Sequence, residues 1–303
     1  MNKSILHQPA DAGKRHYKMR LATNGSLAEI GSFSVDWDFD KPTQSKRDQQ
    51  GGGRRGKVKA TISRQSRRRL LSKCASFDRS TIDDKQVLFA TLTYGSDKKA
   101  LAWSWSDYKR HLNHFLTVLR QKFDKKVFGL WRIEWQKRGV GHFHLVLMFV
   151  DGFKAYIDKD WLASTWNRIT EGDYKHLQAG TSIERAKDWK STQSYFSKTM
   201  AYIGKDETVP ANLLDKKLGR HWGYINKKVL DNHIKLKTSK ITQETFVKLR
   251  DYFLDHIKQI AKESGRYNEK AWSSFSDGVC RFNQKMSIFM DTNKIKNMLA
   301  VVS

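Results

Sequence analysis

The stretch GVGHFHLVLMF, residues 139–149, constrains the fold more than any other part of the chain. From His142 onward apolar side chains fall on both faces of an extended segment, the pattern of a strand covered on both sides in the middle of a sheet. Residues two apart in a strand share a face. His142 and His144 therefore project together, while Phe143 points the other way. Buried imidazoles need partners. Two on one face are either half of a divalent-metal site or hydrogen-bonded core residues.

The surrounding segments set the class. QVLFATLTY (86–94) and VFGLWRIEW (127–135) are rich in β-branched and aromatic residues and read as strands. SDYKRHLNHFLTVLRQKF (106–123) carries Tyr108, Leu112, Phe115 and Leu119 at helical spacing. Residues 158–170 and 190–205 read as helices, 175–186 as a strand, and HWGYIN and HIKLKT as short strands. From about residue 241 the pattern is helical, more weakly so beyond 268. The order β-α-β-β-α-β-α predicts an α+β fold: an antiparallel sheet with helices on one side, close to a ferredoxin-like or RNA-recognition-motif-like layer. The first 58 or so residues read as loosely ordered, because the Gly-rich basic run 44–57 has nothing to bury. The alternation over 22–40 allows an isolated hairpin there.

The turn after the second strand supplies a third candidate ligand. In a hairpin centred on Arg138, the residue opposite His142 is Glu134, and directly opposed residues have Cβ atoms about 4.5–5.5 Å apart. A slip of one residue would send Glu134 to the other face. Two histidines and a carboxylate with open positions suit Mg²⁺, Mn²⁺ or another divalent ion that also holds a substrate oxygen. They make a poor closed zinc site. Further on, Tyr195, Lys198, Tyr202 and Lys205 form one stripe down a helix face. A phenol can attack a phosphodiester while a lysine neutralises the phosphate. The plainer alternative is tyrosine packing with snorkelling lysines.

Charge identifies the partner class. Lys and Arg number 57 against 31 acids, a net charge of +26. Such an excess favours a polyanion, because neutralised phosphates release counterions, so nucleic acid is the expected partner. A membrane is not: no run of about 18 apolar residues is present, and the first residues lack a signal-peptide core. Arg64, Arg67, Arg68 and Arg69 crowd one short helix within 62–77, which suits a phosphate backbone or a solvated face. Cys74 and Cys280 are far apart and read as reduced cytoplasmic thiols. No P-loop occurs, so unwinding is expected to need a host helicase.

Three stretches taken together, LFATLTYG (88–95), EWQKRGVGHFHLVLMF (134–149) and YFSKTMAYIGKD (195–206), resemble motifs I, II and III of the HUH endonucleases. The likeness is to the rolling-circle replication initiators (Rep proteins) of plasmids and single-stranded DNA phages. GRHWGYIN (219–226) resembles a Gly-Arg-x-Trp-Gly element that follows motif III in many of them. The resemblance implies a five-stranded antiparallel sheet with flanking helices in residues 61–230. A flexible basic region, 1–60, would precede it and a helical region, 231–303, would follow. It implies Mg²⁺ or Mn²⁺ on His142, His144 and Glu134, and a tyrosine that joins the 5′ end of a nicked strand and leaves a 3′ hydroxyl as primer. Many two-tyrosine members space the tyrosines four residues apart. Here Thr199 stands at that position, and Tyr202 with Lys205 fits the second Tyr-x-x-Lys better, so Tyr202 is the expected nucleophile. Tyr195 with Lys198 is a second nucleophile or a packing residue. Arg220 and Trp222 are expected to hold DNA by phosphate contact and stacking. Implied partners are single-stranded DNA, supercoiled origin DNA, and the helicase and polymerase of a bacterial host. The rival readings are an HUH transposase or relaxase, and a non-catalytic RRM-like binder whose Tyr94, Trp131 and Trp135 stack bases.

Overall fold

The computed structural model describes residues 15–33, 64–95, 102–136, 139–150, 152–195, 220–282, 286–289 and 292–302. They divide into two compact units.

The larger unit, which takes in the described residues that fall within 64–74 and 78–234, is built on a five-stranded antiparallel sheet. In chain order its strands are β3 (Val87–Thr93), β4 (Val127–Trp135), β5 (Gly141–Phe149), β6 (Thr181–Arg185) and β7 (Trp222–Ile225). The order across the sheet is β6-β3-β5-β4-β7. β5 lies between β3 and β4, and Leu145, Val146, Leu147 and Met148 are fully buried, as an apolar run on both faces requires. Its hairpin with β4 has the register that puts Glu134 opposite His142. Gly129 sits at φ 154°, where a Cβ would lie 1.9 Å from the Val146 carbonyl oxygen. Only glycine lets the two strands approach this closely.

One face of the sheet is covered by α2 (Trp105–Lys122) and α3 (Lys159–Thr170). Tyr108, Leu112, Phe115 and Leu119 of α2 and Leu162 and Trp166 of α3 pack with Leu88, Leu92, Ile133, Phe143, Leu145 and Leu147. α2 begins in a capping box, in which the Asp107 amide donates to Ser104 Oγ and the Ser104 amide to Asp107 Oδ2. Asp158 caps α3 by accepting from the Trp161 amide. The other face is apolar at one end, where His233 stacks on Phe128 at 4.3 Å beside α6 (Lys227–Asn232). At the other end the same face carries the polar residues of β3, β4 and β5.

The segment expected as one strand over 175–186 is divided. Asp173 accepts from the His176 amide and starts a short helix, α4 (Tyr174–Ala179), so extended backbone begins only at Thr181. α1 (Arg64–Ala75) forms where an arginine-rich helix was expected, and α5 (Trp189–Tyr195) is the described part of the tyrosine helix.

The second unit contains described residues 15–33, 75–77 and those from 235 onward. Its antiparallel sheet has the order β8-β1-β2-β9, from β1 (His16–Ala22), β2 (Leu27–Phe33), β8 (Leu236–Ile241) and β9 (Met286–Phe289). α7 (Gln243–Glu263), α8 (Glu269–Phe282) and α9 (Thr292–Val302) complete it. Phe246, Leu249 and Phe253 of α7 pack with Ala28, Ile30, Ile288 and Met298. The helical pattern expected from about residue 241 is present in α7, α8 and α9. The Gly-rich run 44–57, on which the expectation of a flexible N-terminal region rests, lies outside the described residues. The N-terminal hairpin is not isolated, because β1 pairs with β8 and β2 with β9. β9 is only four residues long and gains its pairing from β2, so local periodicity carries little trace of it.

Candidate metal centre

The polar end of the five-stranded sheet is assembled by strand alternation. Across β3, β5 and β4 the register sets Thr93 beside His142 and His142 beside Glu134, then Thr91 beside His144 and His144 beside Arg132. The side chains of these residues share one face because each pair is directly opposed. The expected trio converges. Glu134 Oε2 lies 2.7 Å from His144 Nε2 and 3.5 Å from His142 Nε2, and the three ligand atoms all fall within 4.8 Å of one another.

The donor set fits a divalent ion. His142 Nε2 is buried and has no hydrogen-bond partner among the described residues, although it points toward the Glu134 carboxylate. A buried ring nitrogen in that state is costly unless something else meets it. The imidazoles beside it, His142 first and then His144, hold the Glu134 carboxyl well below the usual carboxylate range. Burial pushes His144 below its ordinary value, against the pull of Glu134. An ionised carboxylate and a neutral imidazole, as these shifts favour for Glu134 and His144, are the protonation states that bind metal. The Glu134 side chain is 37% exposed, whereas those of His142 and His144 are 16% and 12% exposed. The site thus opens on the carboxylate side, where a substrate oxygen can enter.

Behind the ligand atoms, the other ring nitrogens are also met. His142 Nδ1 lies 3.0 Å from Gln136 Nε2. His144 Nδ1 lies 3.4 Å from Thr91 Oγ1 and 3.3 Å from Tyr195 Oη. The Tyr195 ring stacks on Phe89 with centroids 4.1 Å apart and planes 3° from parallel. Arg132 is buried and sets a guanidinium beside His144. Sequence reasoning did not single out Gln136 and Arg132. The signal was present in the alternation, since both lie two residues from Glu134 on its own face.

Tyr195 is therefore brought to the site. Lys198, Tyr202 and Lys205 lie outside the described residues. Arg67, Arg68 and Arg69 are exposed on α1, and Arg220 is exposed just before β7. The Trp222 indole donates to Ser66 Oγ of α1 at 2.9 Å, joining the β7 edge of the sheet to the arginine-rich helix. Gly223 permits close packing, because a Cβ there would lie 2.8 Å from the Trp131 indole. Trp131, Trp135 and Tyr94 are buried, so they offer no free face to a base. Nearby, the Lys109 ammonium lies 4.6 Å from the Trp105 ring and 4.3 Å from the Trp131 ring, and donates to the Arg220 carbonyl. Burial, followed by the charge of Arg220, lowers it to about 7. Burial likewise lowers the neighbouring His221 to about 4.

Residues 87–207 match a family model described as Replication-associated protein, of the ORF2 class. The matched span is less than half of the chain and contains Glu134, His142, His144, Tyr195 and Tyr202, so over this segment the chain is similar to Rep-type, replication-associated proteins. No curated protein and no solved structure matches the chain. Among the described residues, no helix is long and apolar enough to cross a membrane.

Proposed function

We propose that this chain is an HUH-type initiator of rolling-circle replication, which nicks one strand of origin DNA and later rejoins it. The observation that carries the reading is the convergence of Glu134, His142 and His144 at one open end of a sheet, inside the segment that matches the replication-associated family. These three residues hold Mg²⁺ or Mn²⁺, which when bound polarises a scissile phosphate. Tyr202 is the nucleophile. Its phenol oxygen gives up its proton and bonds to phosphorus, the bond from phosphorus to the 3′ oxygen breaks, and that oxygen takes up a proton. The strand is left as a 5′-phosphotyrosine and a free 3′ hydroxyl that primes synthesis. Attack by a 3′ hydroxyl on the phosphotyrosine reverses these bond changes and rejoins the strand. Lys198 and Lys205 neutralise phosphate charge beside the phenols. Arg67, Arg68, Arg69 and Arg220 contact backbone phosphates, and Trp222 contributes an aromatic surface to the DNA track. A helicase and polymerase of the bacterial host, in its cytoplasm, supply unwinding and synthesis.

The test is a denaturing gel of the full chain incubated with fluorescent single-stranded oligonucleotides that tile the replicon's intergenic region. A covalent adduct is expected with Mn²⁺ and not with EDTA, and it is lost in Tyr202→Phe. Oligonucleotide binding without an adduct under any condition would overturn the nicking reaction and leave a non-catalytic DNA-binding sheet.

A further inference from the structure

We infer that Tyr195 is a positioning residue, which acts on the metal centre through His144 and is not itself a nucleophile. The inference rests on the reading of Glu134, His142 and His144 as metal ligands. The two nitrogens of His144 look in opposite directions. Nε2 faces Glu134 at 2.7 Å, and Nδ1 faces the hydroxyls of Tyr195 at 3.3 Å and Thr91 at 3.4 Å. An imidazole that ligates through Nε2 carries its proton on Nδ1 and needs an acceptor there. Hydroxyl oxygens are such acceptors. The Tyr195 oxygen therefore meets the ligand ring on the side away from the other two ligands.

The stack on Phe89 fixes this arrangement. With the two rings 3° from parallel and 4.1 Å apart, the phenol is held so that its hydroxyl reaches Nδ1. His142 is served in the same manner, its Nδ1 lying 3.0 Å from the Gln136 amide. That amide meets Nδ1–H when its oxygen is turned inward, an end-for-end choice that heavy-atom positions leave open. Each ligand imidazole thus has its own orienting group, Gln136 for His142 and the Tyr195 and Thr91 pair for His144. Removing such a group costs metal affinity about tenfold to a hundredfold.

The experiment compares the full chain with Tyr195→Phe and Thr91→Val in Mn²⁺ titrations read by electron paramagnetic resonance. The same proteins are assayed for the adduct, with peptide mapping of the DNA-linked residue. Tyr195→Phe retains the ring that stacks on Phe89 and removes only the hydroxyl. Mn²⁺ affinity is expected to fall by about tenfold or more at unchanged melting temperature, with the adduct formed again at saturating Mn²⁺ and mapped away from residue 195. Thr91→Val is expected to weaken Mn²⁺ in the same direction. Unaltered Mn²⁺ affinity in Tyr195→Phe would overturn the inference, as would DNA mapped onto Tyr195. If no adduct forms even in the unaltered protein, the nicking reaction fails, while the Mn²⁺ affinities still decide the role of Tyr195.

Discussion

Each of the two sheets sets a carboxylate across an antiparallel register from a basic side chain, and the two pairs have opposite characters. In the four-stranded sheet Arg20 lies opposite Glu29. The guanidinium Nε donates to Glu29 Oε2 at 2.7 Å, and Ser287 Oγ donates to Oε1 at 2.7 Å. The side chains are 7% and 3% exposed. In the five-stranded sheet Glu134 lies opposite His142, a buried ring nitrogen of His142 has no hydrogen-bond partner among the described residues, and the carboxylate is 37% exposed. A pair whose lone pairs and protons are matched inside the protein serves the fold. A pair with converging acceptors and an open side is prepared for a ligand. Cross-strand opposition builds both, and satisfaction separates them.

Removing ligand imidazoles should break the comparison most completely. His142→Ala combined with His144→Ala is expected to abolish measurable Mn²⁺ binding by calorimetry, with the circular dichroism spectrum unchanged. Retained binding would locate the metal elsewhere. Next in size is the contrast between the two carboxylates. Glu29→Ala removes the carboxylate that a buried guanidinium is paired with, a change that costs about 3–5 kcal/mol, and should lower the denaturant midpoint of the unit that contains it. Glu134→Ala should leave stability nearly unaltered while weakening Mn²⁺ binding, and equal destabilisation by both variants would show that Glu134 is structural.

The smallest effect concerns a third buried charge, one held by aromatic faces and a carbonyl. Lys109 falls from 10.5 to about 7 through burial and Arg220. Between those values the unfolded chain binds more protons than the folded one, so stability rises as pH climbs from 7 toward 10.5. Denaturant midpoints measured across that window should rise in the native protein and rise less in Lys109→Met. Parallel pH profiles for the two proteins would show that the ammonium stays charged throughout.

Much of the candidate site is legible in the chain. The apolar run after Gly141 specifies a central strand, because only an extended segment covered on both faces has that composition. The period of two then puts His142 and His144 on one face, and the short connection between Trp135 and Gly141 sets the register that brings in Glu134. These are local consequences of backbone geometry, as is the helical spacing of Tyr108, Leu112 and Phe115. Tertiary structure decided what touches the far side of those imidazoles. Tyr195 is 51 residues from His144 in the chain, and no local period connects them. The same limit governs the second unit, where Leu27 meets Phe289 and Ala22 meets Leu236 across the length of the chain. Pairings that distant depend on which faces remain to be buried once the local elements have formed, a property of the assembled fold.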